Sequence, residues 1–154
     1  LYSVFSMLSR TTVLGLSQSS LVDHLLFASE EKSMVEPAHL VGAGAALGAL
    51  LRYGTNRAVA GTLGGHAFPL RTFAVNVVGS FVLALVTFLG AGDAVLSLVG
   101  TGACGSYTTF SSFSVDTVQL WEDDQVMLAL MYATGNLVGA LVAIGLAWLI
   151  VGRV

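Results

Sequence analysis

The chain has 154 residues, of which 55% are hydrophobic and only 10% are charged, with a mean hydropathy of +0.84 and a formal net charge of −3. Because a soluble domain usually carries about 25% charged residues, this composition argues against a soluble protein and predicts a membrane protein. The chain also has no basic run or stripe, so nothing in its charge indicates a nucleic-acid partner.

The N-terminal residues 1–33 differ in character from the rest of the chain. They are rich in serine, and their apolar run is too short for a signal peptide. From Met34 onward the composition is uniformly that of a membrane protein. We therefore expect Met34 to be the natural start, residues 1–33 to be an extension outside the natural fold, and residues 34–154 to form one membrane domain.

Four apolar segments follow, each close to the ~20 residues that a bilayer requires. They cover residues of about 38–60, 70–91, 94–120 and 126–151. The short connections predict that successive helices are antiparallel neighbours, in an all-α integral membrane bundle of four transmembrane helices. Gly44 and Gly48 in the first segment form a small-xxx-small pair, which we interpret as close helix packing.

The second segment carries a polar stripe. Thr72, Asn76 and Ser80 are spaced four residues apart and therefore share one helix face. In a membrane such side chains either join helices by hydrogen bonds or mark a functional path. For Thr72 and Ser80 both interpretations stay open, whereas the amide of Asn76, which must satisfy several hydrogen bonds, favours a functional role.

The third segment is predicted to be a broken helix. Its centre, residues 100–114, contains three glycines within six residues and then a run of hydroxyl side chains, which form a poor uninterrupted helix. Non-helical backbone at membrane depth persists only where protein or a polar cavity satisfies it. A break of this kind exposes carbonyls that suit a cation and a helix N-terminus that suits an anion, although close packing alone would also explain the glycines.

Two phenylalanines follow the break. Phe110 and Phe113 share a helix face and alternate with serines, which is an unusual surface to turn toward lipid. They are either packing residues or a pair of rings whose positive edges stabilise a dehydrated anion.

The fourth segment adds Tyr132 and Asn136, four residues apart on one face. Arg52 and Asp116 are the charged residues nearest the apolar interiors. Each is interpreted either as an interfacial anchor that extends toward the headgroups or as a functional residue.

Three motifs in this order resemble the small fluoride channels of the Fluc (CrcB) family. They are Gly48-Ala-Leu-Leu-Arg-Tyr53, Val75-Asn-Val-Val-Gly-Ser-Phe81 and Gly105-Ser-Tyr-Thr-Thr-Phe-Ser-Ser-Phe-Ser114. The resemblance extends from Met34 to the C-terminus. It implies an antiparallel, dual-topology dimer with two pores in the plasma membrane, formed by two identical chains or by two paralogues. Such a channel exports fluoride, and its partners are fluoride and membrane lipid.

The resemblance also implies roles for individual residues. Phe110 and Phe113 correspond to the rings that meet the ion, and Asn76 corresponds to the pore amide. The main-chain carbonyls of Gly105 and Thr108 correspond to ligands of a structural sodium ion at the dimer centre, with no organic cofactor. The other expected ion-pathway residues, together with the arginine of the vestibule, are Thr72, Ser80, Ser112, Tyr132, Asn136 and Arg52.

Three positions depart from the usual family pattern. Cys104 precedes Gly105 where the family commonly has two glycines, and we interpret this single cysteine as a buried packing residue. Asp116 stands in place of a glutamate, and Asn136 in place of a serine. The last exchange leaves the detail of the polar path in the fourth helix open.

Other functions fit the sequence less well. A proton-coupled small multidrug transporter also has four helices, but it needs a membrane carboxylate that the first segment lacks. An intramembrane serine hydrolase needs a base beside its serine, and no histidine lies within a helix interior, so we expect no enzyme. A purely structural membrane protein would leave the polar stripe and the broken helix unexplained.

Overall fold

The computed structural model describes the backbone of residues 18–63 and 68–153, and the side chains of residues 37–61 and 68–153. Within these ranges the chain is helical and contains no β-strand. Its contacts divide it into two units, Leu1–Glu36 and Pro37–Val154. Every contact discussed below lies in the second unit. The assignment of residues 1–33 to an extension outside the natural fold stays a prediction.

The described part contains six α-helices and one π-helical segment. In chain order they are α1 (Gln18–Leu63), α2 (Leu70–Phe88), α3 (Asp93–Val95), the π-segment (Leu96–Cys104), α4 (Gly105–Tyr107), α5 (Phe110–Glu122) and α6 (Val126–Val151).

Helix α1 begins at Gln18, twenty residues before the apolar segment predicted at 38–60. Hydropathy locates the apolar stretch, whereas helix formation needs only residues of adequate helix propensity, so the two need not begin together. Pro37 lies inside α1, where it removes one main-chain donor from the helix.

Helices α2 and α6 are each long and apolar enough to cross a bilayer, judged by length and composition. Their bounds agree closely with the apolar segments predicted at 70–91 and 126–151. Thirteen large apolar side chains of α6 are between 37% and 72% exposed. An apolar surface of this size on one helix indicates contact with lipid or with another protein chain.

The second connection is a tight turn at residues 90–93, in agreement with the short connections expected from the sequence. Gly90 has a positive φ of 66°. Its N–H donates to Thr87, and the N–H of Ala91 donates to Val86, which is the Schellman arrangement that ends a helix with glycine. Helix α2 therefore stops at Phe88, and the chain turns directly into the next element.

The predicted interruption of the third segment is confirmed. The backbone winds as a π-helix as far as Cys104, makes one α-turn in α4, and becomes extended at Thr108 and Thr109 before α5 begins. A π-helix is rare and occurs often at functional sites.

The π-segment packs closely against α1 through glycines. A Cβ added at Gly44 would collide with the carbonyl oxygen of Leu98, and one at Gly48 with that of Ala103. From the opposite side, a Cβ at Gly102 would lie 2.6 Å from the carbonyl oxygen of Val41. The interpretation of Gly44 and Gly48 as close-packing residues is therefore confirmed.

Candidate functional site

Thr109, the last residue of the break, is the N-cap of α5. Thr109 is extended and buried, and its hydroxyl accepts a 3.1 Å hydrogen bond from the N–H of Ser112. This is the usual N-cap arrangement, which satisfies one of the free donors at the start of a helix. The same hydroxyl lies 3.1 Å from the Ser111 hydroxyl and donates to the Ser112 hydroxyl at 3.2 Å.

Asn76 of α2 holds the extended backbone at the break. The N–H of Thr109 donates to Asn76 Oδ1 at 2.9 Å, and Asn76 Nδ2 donates to the Thr109 carbonyl at 3.3 Å. The side-chain amide thus pairs with both polar groups of one residue, as a neighbouring strand would. This pairing supplies the hydrogen bonds that the interrupted helix no longer provides.

A second amide continues this network into α6. Asn76 Nδ2 donates to Asn136 Oδ1 at 3.2 Å, and Asn136 Nδ2 donates to the main-chain carbonyl of Tyr132 at 3.0 Å. The N–H of Thr109 can only donate, so it fixes which end of Asn76 is the oxygen. Asn76 therefore presents its nitrogen to Asn136, so the atom of Asn136 that faces it must be the oxygen. The donor and acceptor ends of both amides are thus fixed by their hydrogen-bond partners.

Asp116 of α5 is the centre of a second polar cluster. Its Oδ2 accepts a 2.7 Å hydrogen bond from the Thr72 hydroxyl and a 3.0 Å hydrogen bond from the Tyr132 hydroxyl. Tyr132 is completely buried. Asp116 is therefore bonded to two other helices, which favours a role inside the bundle over that of an interfacial anchor.

Five aromatic rings form a continuous row beside this cluster. Phe110 and Phe113 have ring centroids 5.7 Å apart, and Phe113 lies 5.6 Å from Tyr132. Phe68 meets Tyr132 edge-on at 5.3 Å and Phe73 edge-on at 5.9 Å. Phe110 ends the row and is 79% exposed, whereas Phe113 is half-buried.

An open groove of about 660 Å³ runs along the break. None of the residues that line it carries a charge. Its apolar wall includes both members of the Phe110–Phe113 pair. Its polar lining comes from α2, the π-segment, the break and α6, and consists of Asn76, Ser80, Thr101, Cys104, Thr108, Thr109 and Asn136. Such a groove offers hydrogen-bond donors and ring edges to a small ion without a fixed charge that would hold it.

The structure separates the predicted pathway residues into two groups. Asn76, Ser80, Phe110, Phe113 and Asn136 line the groove together with Gly105 and Thr108. The others lie outside its lining: Thr72 and Tyr132 are in the Asp116 cluster, Ser112 caps α5, and Arg52 is half-buried on α1. Their roles in ion passage stay predictions.

Two main-chain carbonyls at the break lose their usual helical donors. The N–H four residues after Gly105 belongs to Thr109 and is taken by Asn76. The N–H four residues after Thr108 belongs to Ser112 and is taken by the Thr109 hydroxyl. Among the described residues no group of three or more His, Cys, Asp or Glu could hold a metal. A cation at the break would therefore rely on carbonyl oxygens, and those of Gly105 and Thr108 fit this chemistry.

Sequence reasoning missed several residues of the site. The N-cap role of Thr109 had a local signal, since a threonine directly before a helical pattern is a common N-cap. The rings of Phe68 and Phe73 had no such signal, because they join the row only through tertiary packing. Cys104 was interpreted as a buried packing residue, and it is buried with a free thiol.

Comparisons with known proteins give the same family. Residues 39–148 match the family model described as CrcB-like protein, Camphor Resistance (CrcB). The fluoride-specific ion channel FluC 2 of Haloarcula marismortui is 61% identical over 118 residues, which cover 76% of this chain and 95% of that protein. FluC 1 of Halobacterium salinarum is 52% identical over 119 residues, covering 77% and 97%. FluC 2 of Listeria innocua is 43% identical over 109 residues, covering 68% and 81%.

The family model covers most of the chain, and the matched region contains the whole helix break, both amides and the aromatic pair. The two haloarchaeal relatives are matched over nearly their full length. The chain therefore belongs to the CrcB family.

Proposed function

We propose that this chain is a fluoride-selective ion channel that exports fluoride from the cytoplasm down its electrochemical gradient and so lowers fluoride toxicity. Several relatives of high identity carry the name fluoride-specific ion channel. The structural observation that carries the proposal is the uncharged groove at the helix break, where amides and hydroxyls face an aromatic pair.

The groove suits fluoride for a physical reason. Fluoride is small and strongly hydrated, so a site that takes it out of water must replace lost hydrogen bonds with donors of its own. Ser80 brings an O–H group to the groove beside the polar side chains of Thr101 and Thr108, and phenylalanine ring edges carry partial positive charge. Because the lining lacks a charged residue, the ion is not trapped there, which conduction requires.

In this proposal the protein crosses the plasma membrane four times. Helices α2 and α6 supply the second and fourth spans. The part of α1 at residues 38–60 supplies the first, and the chain from Asp93 to Glu122, interrupted at the break, supplies the third. The exposed apolar side chains of α6 support contact with lipid.

The working channel would be an antiparallel, dual-topology dimer of two identical chains or of two paralogues. Phe110 supports a partner, because a ring that is 79% exposed next to a polar groove would be better covered than solvated. A structural sodium ion would be held by the carbonyls of Gly105 and Thr108 and by those of the second chain. When bound, it supplies positive charge near the anion path.

The alternative, a proton-coupled small multidrug-type transporter, is not favoured by the sequence of the first span. That mechanism needs a carboxylate in the first membrane helix, and residues 38–60 contain no Asp or Glu. We propose conduction rather than catalysis or coupled transport.

Growth of a bacterium that lacks its own fluoride exporter tests this function. We expect the wild-type chain to restore growth in fluoride medium, and Phe113→Ile to fail although the protein reaches the membrane. Phe88→Ile is the matched control, because Phe88 lies at the end of α2 outside the groove lining. Failure of the wild-type chain, or full rescue by Phe113→Ile, would contradict the proposal.

A further inference from the structure

The chain contains two tryptophans, and each lies near the end of a helix. Trp121 is the last residue but one of α5, and Trp148 lies three residues before the end of α6. Trp121 is 57% exposed and Trp148 is 60% exposed. Neither indole N–H has an acceptor among the described residues. Each ring therefore presents a large apolar surface and an unused hydrogen-bond donor to its surroundings.

The two tryptophans lie at opposite ends of α6. Helix α5 ends in a tight turn, in which the N–H of Asp124 donates to the carbonyl of Trp121, and α6 begins at Val126. Trp121 therefore lies beside the first turn of α6. Trp148 follows Val126 by 22 residues. At the rise of an α-helix, the two tryptophans are thus about 33 Å apart along the axis of α6.

Charged residues are absent from α6 and occur directly beyond both of its ends. The helix has no Asp, Glu, Lys or Arg between Val126 and Val151. Acidic residues precede it at positions 122–124, and Arg153 follows it. The distance between the tryptophans matches the ~30 Å hydrocarbon core of a bilayer. Tryptophan is enriched at the edges of this core, where its ring contacts acyl chains and its N–H can donate to polar lipid groups.

Helix α2 runs parallel to α6. The nearest atoms to a Cβ added at Gly135 belong to Phe68, and those nearest a Cβ at Gly139 belong to Val77 and Phe73. The contacts therefore advance in the same direction along both helices. The start of α2 lies toward the start of α6, and the turn that follows α2 lies toward the other end.

The charges around α2 follow the same pattern. No charged residue occurs between Arg71, in the first turn of α2, and Asp93, which follows the connecting turn. Arg71 is exposed, and an arginine side chain is long enough to extend from the end of a helix to the headgroups. Two parallel helices thus lack charged residues over a similar length.

We infer that Trp121 and Trp148 contact the two opposite headgroup regions of a bilayer and so set the depth at which the protein lies. Their partner is phospholipid, at the boundary between its acyl chains and its headgroup. This inference rests on the proposed membrane spans but not on which ion the protein conducts. It places Asn136, and with it the groove, about 15 Å from the start of α6 and near the middle of the bilayer.

Quenching of tryptophan fluorescence by brominated lipids tests this inference, because bromine quenches the rings that lie at its own depth. Trp121→Phe and Trp148→Phe each leave one native tryptophan in the full chain. Each variant is reconstituted into phosphatidylcholine vesicles with bromine either on the upper part of the acyl chain or near its end. We expect the shallow bromine to quench each native ring about twofold more strongly than the deep bromine. Stronger quenching by the deep bromine, or no quenching of a ring by either lipid, would overturn the inference.

Val138→Trp, in a chain with phenylalanine at both native tryptophan positions, is the matched control. Val138 is exposed, lies outside the groove lining and is about 18 Å from the start of α6. We expect the deep bromine to quench this ring more strongly. Shallow rings at both ends and a deep ring between them require that α6 crosses the bilayer, whereas a shallow profile at all three positions would contradict the inference. If this variant does not fold, the profiles of the two native rings still decide.

Fluoride efflux from the same vesicles separates the inference from the proposed function. Neither tryptophan lines the groove, so we expect both single-tryptophan variants to release fluoride as the wild-type chain does. Efflux with deep or absent quenching contradicts the inference alone. Shallow quenching without efflux from the wild-type chain contradicts the proposed function alone.

Discussion

At the helix break, Thr109 uses every polar group that it has. Its N–H and carbonyl pair with Asn76, and its hydroxyl caps α5 through the N–H of Ser112. A single threonine therefore starts α5 and ties the break to α2. Irregular backbone in an apolar bundle is stable only when its N–H and C=O groups are hydrogen-bonded in this way.

Asp116 shows the same dependence on partners from other helices, since Thr72 and Tyr132 donate to one of its carboxyl oxygens. Hydrogen bonds between membrane helices contribute about 0.6 kcal/mol on average and up to about 1.7 kcal/mol. A bond to a carboxyl group belongs at the upper end of this range. The Tyr132 hydroxyl should thus matter more to stability than a hydroxyl paired with another hydroxyl.

Tyr132→Phe tests this difference, with Tyr107→Phe as its matched control. The Tyr107 hydroxyl lies 3.0 Å from the hydroxyl of Thr55, a bond between two neutral groups. We expect Tyr132→Phe to lower the free energy of unfolding by about 1.5 kcal/mol and Tyr107→Phe by about 0.6 kcal/mol. Thermal unfolding of the purified variants in detergent measures both. Equal decreases in the free energy of unfolding would show that the hydrogen bond to Asp116 stabilises the protein no more than the bond between two hydroxyls.

At the scale of elements, the contact between α1 and the π-segment positions the break. Glycines at 44, 48 and 102 let two backbones approach so closely that carbonyl oxygens of one helix meet Cα atoms of the other. Small residues commonly serve this purpose in membrane helices, where apolar burial provides no driving force between helices. Helix α1 thus packs directly against the π-segment that leads into the break.

Gly48→Ala and Gly54→Ala form a matched pair for this contact. The new methyl group at Gly48 would collide with the carbonyl of Ala103, whereas the methyl group at Gly54 would have no neighbour within 4 Å. Overpacking costs about 1–3 kcal/mol, and replacing an open helical glycine by alanine gains about 0.5–1 kcal/mol. We expect a lower melting temperature and reduced fluoride flux for Gly48→Ala only. A Gly48→Ala variant as stable as wild type would contradict the proposed packing.

The elements differ in how far the sequence could predict them. The bounds of α2 and α6 follow from apolar segments with clear ends, such as the turn at Gly90. The break was predictable from its glycines and hydroxyls. The π-helical winding of Leu96–Cys104 was not, because no local pattern distinguishes it from an α-helix.

The sequence could predict some residues of the groove but not the hydrogen bonds that connect them. Spacing places Asn76, Phe110, Phe113 and Asn136 on suitable helix faces, and all four line one groove. The pairing of Asn76 with Thr109 joins residues 33 positions apart. Periodicity within a helix cannot show such a bond, since it depends on how separate helices pack. For this reason the hydrogen bonds that join Thr109, Asn76 and Asn136 emerge only from the structure.

At the scale of the whole molecule, the described chain has more apolar surface than a solvated protein tolerates. The exposed residues of α6 and the exposed ring of Phe110 lie on surfaces that lipid or a second chain would cover. The groove is open along the break. A partner chain would close it into a path, which agrees with the proposed dimer.

Fluoride-selective conduction is the central claim, and efflux from liposomes tests it most directly. Vesicles reconstituted with the purified full chain are loaded with equal concentrations of fluoride and chloride, and the release of each ion is followed with its own electrode. We expect rapid fluoride efflux, with chloride release no faster than from protein-free vesicles. Chloride efflux at a comparable rate, or no efflux of either ion, would contradict the account.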